Sequence, residues 1–469
     1  MKNKKFLDFP PANKQDWITQ AQKDLKGENF KQKMVTKAIE GILIFPFYTS
    51  EDVEGMEWIR SYENRINPNL QITEFSPRNW TNAVVVDGKD ENAINLEIHT
   101  VLGQGADGLI LDLSGSEDLD LVFRDVLFSY IQIWLRPKEE ANTCLEAFYK
   151  WVSAKGIPFE QVNGGFLWLG LSEAFDHPID KEKYLDEILF LHDLSKPYPN
   201  FRSICLDFSV YHNAGAHAVQ EIGYGLSAMV DLLDGLTERG GNPAAIFSDL
   251  YLNTAVGSSY FMEIAKLKTL RIAFQHLAGL YQVDLNPEGI TVFTCSSSWT
   301  KSREEVNHNI IKNTTEAMSA IIGGCNILHV IPHDKSIKIP DQFSKRMARN
   351  ISSILKEECY LDKVLDPSAG TYLMENLIHS LSTHAFELLK KVEEEGGWWK
   401  LYLNKSIQKD IRDVRSNKIR KVVEGETRLV GFNPKDMGKQ QKSMPTDRLI
   451  EDDFQLKSWN QFTLLERNS

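Results

Sequence analysis

Tyr211 and His212 stand side by side between an apolar run, Ile204-Cys205-Leu206 with Phe208 and Val210, and a small-residue turn, Asn213-Ala214-Gly215-Ala216, that launches a helical pattern. An imidazole beside a phenol can place hydrogen bonds at an oxygen on which charge builds up. The pair also has a purely structural reading: a strand-end histidine satisfied by backbone groups and a packed tyrosine with its hydroxyl bonded. Arg202, just before the run, has the planar fork that grips a carboxylate or phosphate, or else is a solvated strand-end arginine. His329 and His333 have the spacing of a helical metal pair, but Pro332 lies between them and Leu328-His329-Val330-Ile331 looks extended, so no metal is assigned. The loop Asp366-Pro367-Ser368-Ala369-Gly370-Thr371-Tyr372 offers backbone N–H groups to an anion and reads equally well as a helix start. Cys144, Cys205, Cys295, Cys325 and Cys359 are scattered without CxxC pairing and read as small core residues.

The elements that must position Tyr211 and His212 follow from periodicity. Strand-like apolar runs at 83–86, 108–113, 130–135, 165–169, 203–210, 290–295 and 326–331 alternate with helical patterns, the clearest at 216–239, 258–282, 303–322, 342–358 and 374–395. Such alternation means βα units and a parallel sheet, and in a β/α barrel Tyr211 and His212 would sit at the C-terminal rim. The pattern supplies seven strands; an eighth is expected to be short or irregular. Residues 1–70 read as an N-terminal arm, 71–395 as the barrel and 396–469 as an irregular C-terminal extension. The arm carries an amphipathic helix (Trp17, Ile18, Ala21, Leu25) and an apolar run at 41–47 that needs cover, which a partner subunit could supply. Trp398-Trp399, after Gly396-Gly397, mark either an interface or packing beneath the chain's own tail.

Composition narrows the function class. With 469 residues, 42% of them apolar, the chain can bury a large core. A net charge of −12 argues against a phosphate-backbone partner. No apolar run approaches the roughly 20 residues of a membrane span, and the start lacks the apolar core of a signal peptide, so a cytoplasmic protein is expected.

The stretch 204–226 resembles the YH-x-x-x-AGA segment in the barrel domain of methylmalonyl-CoA mutases, and its Asn-Ala-Gly-Ala variant looks like that of their small, non-catalytic subunit. Residues 14–48 are similar to the family's opening W-x-x-x-x-x-K-D-L-K-G and EGI-x-I-x-PFY runs. EIAKLKTLRIA at 263–273 resembles its EIAK helix, DPSAGTYLMENL at 366–377 its DP-x-x-GSY signature, and 296–329 its TSGWS to LH segment. The resemblance implies a (β/α)8 TIM-like barrel and the radical isomerisation between methylmalonyl-CoA and succinyl-CoA with adenosylcobalamin. It implies that His212 matches the imidazole that donates to the thioester carbonyl, with Tyr211 beside it; Arg78, which falls in a family segment, and Arg202, by its guanidinium alone, are the substrate-binding candidates.

Departures from the family pattern are equally informative. Ser76-Pro77-Arg78-Asn79-Trp80 keeps the arginine and tryptophan of T-x-Y-x-x-R-P-W without its tyrosine, and Leu189-Phe190-Leu191-His192-Asp193-Leu194 stands where catalytic chains have N-D-x-L-K-E-Y. No D-x-H-x-x-G occurs, and the residues after Lys400 are too few for a flavodoxin-like cobalamin domain. Against the family, the chain is therefore expected to bind no cofactor itself, with adenosylcobalamin in a partner. Three readings follow: a small, non-catalytic subunit paired with a homologous large catalytic subunit in a heterodimer; the active barrel of a split acyl-CoA mutase with a separate cobalamin-binding subunit; or an accessory CoA-ester-binding protein. The first accommodates the missing motifs best.

Overall fold

The computed structural model describes residues 13–66, 77–285, 289–430 and 451–467. Its centre is a ring of parallel strands: β1 (Thr81–Val86), β2 (Gly108–Leu113), β3 (Gln132–Pro137), β4 (Gly164–Phe166), β5 (Phe201–Arg202 and Ile204–Asp207), β6 (Leu250–Val256), β7 (Thr291–Ser296) and β8 (Ile327–His329). The two segments of β5 are halves of one strand broken at Ser203. The first half pairs with β4, the second with β6, and β8 pairs with β1, so eight parallel strands close into a TIM-like barrel. At the break, the Ser203 backbone N–H donates to Asp249 Oδ1 at 2.6 Å, its hydroxyl donates to the same carboxylate, and His192 Nδ1 lies 2.8 Å from Asp249 Oδ2.

The outer ring is α1 (Glu91–Leu102), α2 (Ala141–Ala154), α3 (Lys181–Ser195), α4 (Ala218–Glu238), α5 (Tyr260–Leu280), α6 (His308–Gly323) and α7 (Gln342–Glu357); β2 and β3 are joined by two short helical turns, Leu119–Val122 and Phe128–Tyr130. Strands covered on both sides need apolar residues at every position, which is why the runs read as continuous. Leu109, Leu111, Ile133 and Leu135 face outward onto Ile98 and Phe148 of the helices. Ile110, Trp134, Leu167, Cys205, Tyr251, Phe293 and Ile327 face inward and fill the lumen. The Trp134 ring meets Tyr251 at 5.1 Å and Phe293 at 4.9 Å, both edge to face, and the Tyr251 hydroxyl donates to Phe166 O at 2.8 Å.

Two local expectations are corrected. The strand missing from the apolar count is β6, and it is neither short nor irregular: all seven of its residues are buried. Asn253 and Thr254 break its apolar run, yet the Asn253 amide N–H donates to Asp207 Oδ1 at 2.8 Å and the Thr254 hydroxyl to Glu221 Oε1 at 2.7 Å, so both donors are satisfied inside the core. The run at 203–210 stops being a strand at Asp207, whose carboxylate accepts the Ser209 N–H (2.9 Å) and hydroxyl (2.6 Å) and turns the chain into a short helix, Ser209–Asn213.

In the arm, the helix Lys14–Asp24 lays Trp17 on Phe47, ring centroids 5.0 Å apart, so this chain partly covers its own apolar run. Beyond the barrel come α8 (Tyr372–Glu394), α9 (Trp398–Leu403), α10 (Ser406–Val423) and, after 431–450, α11 (Gln461–Arg467). The extension thus holds more regular structure than its charged composition suggests. Trp398 and Trp399 are buried, Trp398 stacking on Tyr402 at 5.0 Å, so the tail-packing reading applies within this chain.

Candidate functional site

The helical turn after β5 presents Tyr211 and His212 at the C-terminal mouth of the barrel. Tyr211 is fully buried; its hydroxyl accepts a hydrogen bond from Trp398 Nε1 at 2.9 Å, and burial pushes its pKa up, so it stays a neutral phenol. His212 is 8% exposed. Its Nε2 lies 2.9 Å from Ser297 Oγ at the end of β7, and its Nδ1 lies 3.4 Å from Glu221 Oε2 in the first turn of α4. Gly257 makes room for the ring: a Cβ there would lie 3.0 Å from His212 Cε1.

Beneath His212 sits a buried network of charges. Lys266 Nζ contacts Glu221 Oε2 and Glu263 Oε2, each at 2.7 Å, and donates to Ala255 O at 2.6 Å. Burial opposes the lysine's charge, but the two carboxylates outweigh it and hold its pKa above the ordinary value. Burial likewise opposes the Glu221 charge, and the Lys266 and His212 contacts outweigh it, holding that carboxyl below its usual range. Glu221 and Glu263 each occupy the first turn of a helix whose N-terminus points at the mouth, where the helix dipole favours a carboxylate. Sequence reasoning missed all three residues. Their signal was charges on otherwise apolar helix faces, with Glu263 and Lys266 three apart.

The mouth above Tyr211 and His212 is roofed by the chain's own C-terminal residues. The Arg415 stem packs on Gly215, where a Cβ would lie 2.9 Å from Arg415 Cγ and where φ is +101°, and Lys418 Nζ donates to Ala216 O at 2.9 Å. The Trp459 N–H donates to Asn213 O at 2.8 Å, Gln461 N–H to Trp299 O at 3.1 Å, and Ser458 Oγ lies 3.0 Å from Ser298 Oγ. Trp299, Ile419, Val422, Trp459 and Leu465 form an apolar cluster that seals this roof. The arrangement orients and dehydrates His212 but leaves it little access to a second molecule.

Arg78 and Arg202 lie elsewhere. Arg78 precedes β1 at the opposite end of the barrel, donating to Ile321 O (3.3 Å) and Cys325 O, with burial pushing its pKa down. Arg202 is in the first half of β5, where burial again lowers its pKa and the nearby Asp249 charge raises it. The structure brings neither to the Tyr211–His212 turn. His329, on β8, bonds Ala83 O through Nδ1 at 3.0 Å, and among the described residues no three His, Cys, Asp or Glu side chains converge as metal ligands.

Two histidines, His217 partly buried and His329 buried, make the fold acid-sensitive. His217 caps α4, its Nδ1 accepting the Gln220 N–H at 3.2 Å, and burial followed by the Lys418 charge pushes its pKa down to about 4. Burial, aided by Lys335 and Arg136, brings His329 to about 4 as well. Between pH 6.5 and 4 the unfolded chain binds these protons and the native chain does not. Stability is therefore expected to fall as pH falls through that window, by up to roughly 1.4 kcal/mol per pH unit for each histidine. Urea unfolding at pH 7 and pH 5 checks this: a His217→Gln, His329→Gln double variant should lose less stability between the two than the parent, and equal losses would refute the assignment.

Among the described residues no helix is long and apolar enough to cross a membrane. The family model described as Methylmalonyl-CoA mutase matches residues 113–465. The chain is 30% identical over 423 residues to a methylmalonyl-CoA mutase small subunit of Porphyromonas gingivalis, covering 87% of this chain and 67% of that protein. It is 26% identical over 422 residues to the small subunit of Propionibacterium freudenreichii subsp. shermanii (86% and 65%), and 26% identical over 454 residues to a methylmalonyl-CoA mutase of Cereibacter sphaeroides (89% and 63%). The chain spans about two thirds of the length of these relatives.

Proposed function

Because this chain belongs to the methylmalonyl-CoA mutase family, we propose that it is the small, non-catalytic member of a heterodimer, its homologous large partner carrying adenosylcobalamin and interconverting methylmalonyl-CoA and succinyl-CoA in the cytoplasm. The observation that carries this reading is the roof: the turn bearing Tyr211 and His212 is closed by Arg415, Lys418 and Trp459 of the same chain. A corrin needs an open face above a barrel mouth, and the residues over this turn leave none. The site as built does not fit adenosylcobalamin. A filled lumen, with Trp134, Tyr251 and Phe293 interlocked, also leaves no axial passage for a long CoA ester.

In this reading Tyr211 and His212 are internal braces. The tyrosine hydroxyl ties the turn to α9, and the imidazole ties it to Ser297 and the buried Glu221. The chain contributes a rigid barrel and binding surface to the complex; the thioester and its radical chemistry belong to the partner.

The test is native mass spectrometry of the complex purified on this chain, followed by assay of a His212→Ala complex. A companion heavier than this 53.5 kDa chain and carrying corrin is expected, with activity of the variant complex within about threefold of the parent. A loss of roughly 10²-fold or more, the scale of a removed oxyanion donor, would return His212 to the chemistry. A companion no larger than an isolated cobalamin domain would overturn the subunit assignment.

A further inference from the structure

On the side of the mouth away from the roofed turn, where β1, β2, β3 and β8 end, a cavity of about 240 Å³ opens. The top layer of lumen side chains is polar there, and two of its residues, Asp112 and Arg136, form an ion pair. Arg136 donates Nε to Asp112 Oδ1 and Nη2 to Oδ2, the latter at 2.8 Å. This side-on pairing uses one edge of the guanidinium. The outer edge, Nη1 with the second Nη2 hydrogen, makes no hydrogen bond to any described residue, although the side chain is only 40% exposed and lines the cavity. A guanidinium has five N–H groups in a fixed plane, so the occupied edge aims the free one.

The other charges nearby can be summed. Lys345 pairs with Asp87 and Arg136 with Asp112, and the Arg349 guanidinium is engaged by Gln104, donating to its backbone O at 3.1 Å and to its side-chain oxygen, which leaves Lys335, also on the cavity wall, as the cation without a partner. Among the described residues the Lys335 ammonium has no hydrogen-bond or ion-pair partner, and its charge acts on His329 and Cys295 together with that of Arg136, so the two cations face the same space. The remaining wall includes Val85, Val330 and Pro332, which no polar headgroup would choose as neighbours. The volume is below the roughly 300–1,000 Å³ of clefts that bury drug-sized ligands, which excludes a coenzyme and admits a compact molecule.

We propose that this cavity binds a short-chain monocarboxylate: the carboxylate lies on the free edge of Arg136 and near Lys335, and the hydrocarbon tail lies against Val85, Val330 and Pro332. One unpartnered ammonium, Lys335, matches a single negative charge, and a planar two-oxygen acceptor matches the guanidinium edge. The site lies in a different sector of the mouth from Tyr211 and His212 and does not depend on the subunit assignment above.

The experiment is calorimetric titration of the full chain with butyrate, inorganic phosphate and chloride at matched ionic strength. Butyrate is expected to bind, phosphate and chloride at least tenfold more weakly. Lys335→Gln, at an exposed position whose loss the fold tolerates, should weaken butyrate by about tenfold, the scale of one lost charge-assisted hydrogen bond. Arg136→Lys keeps a cation opposite Asp112 but removes the planar edge, and should weaken it at least as much; circular dichroism confirms that each variant is folded. Butyrate that binds no better than chloride, phosphate that binds as tightly as butyrate, or a Kd unchanged by both substitutions would each overturn the proposal.

Discussion

Lys266→Met is expected to lower the unfolding free energy by about 3–5 kcal/mol at neutral pH, the cost of breaking a buried ion pair by removing one partner. Lys266 is completely buried, and its ammonium stands between the Glu221 and Glu263 carboxylates. Methionine fills much of the same volume, so the loss is electrostatic rather than steric. Two carboxylates then share a dry site with, among the described residues, only His212 and the Lys418 charge to oppose them, and their native pKa values rise above those of the unfolded chain. The sign of the pH dependence follows. A raised carboxylate pKa means the native state holds protons that the unfolded state has released, so the penalty is largest at pH 7 and shrinks as the pH falls toward the unfolded value near 4.3. Urea unfolding of parent and variant at pH 7 and pH 5 reads this as a gap that narrows on acidification. A gap under about 1 kcal/mol at pH 7, or one that widens at pH 5, would show that the network is not ionised as described. Adding Glu221→Gln and Glu263→Gln to Lys266→Met should recover part of the loss, because the uncompensated charges go with the lysine.

Trp134→Ala is the second large effect, about 3–5 kcal/mol, from the transfer term and the cavity left behind. The ring is wedged against Tyr251 and Phe293 from strands on the far side of the lumen, so the barrel cannot collapse into the space without distorting its ladders. An apolar void of that kind stays dry and accepts an apolar guest. Thermal unfolding should therefore show indole raising the Tm of Trp134→Ala and not that of the parent. A loss below 1 kcal/mol, or indole acting equally on both, would mean that the lumen is not packed as described.

How much of this was legible beforehand differs from element to element. Seven strands could be read because helices cover the outer face and the packed lumen the inner one, which together force uninterrupted apolar runs. β6 escaped because Asn253 and Thr254 face partners contributed by β5 and α4, which no local pattern reveals. The barrel-rim position of Tyr211 and His212 followed from strand, small-residue turn and helix in succession, whereas the short helix that carries them depends on the Asp207 side chain turning the chain. The helicity of α10 was hidden by its charges, yet Ile407, Ile411, Arg415, Ile419 and Val422 form one stripe at three- to four-residue spacing, all buried against the mouth. The lysine–glutamate network showed only as isolated charges on apolar helix faces, since its members meet only when α4 and α5 dock side by side over the strand ends.

The break in β5 has a mechanical consequence. Strands β1 to β4 with the first half of β5, residues 81–202, are bonded edge to edge, and so are the second half of β5 with β6 to β8, residues 204–329; the apolar cluster on the outer face of the first set runs from Val86 to Phe201 and stops there. The two half-rings are joined by the β8 to β1 ladder on one side and, on the other, by the covalent chain through Ser203, pinned by Asp249. When the native ring breathes, the side without a continuous ladder opens first. Amide hydrogen exchange should accordingly divide the barrel into two cooperative units at residue 203, with Asp249 acting as the latch between them.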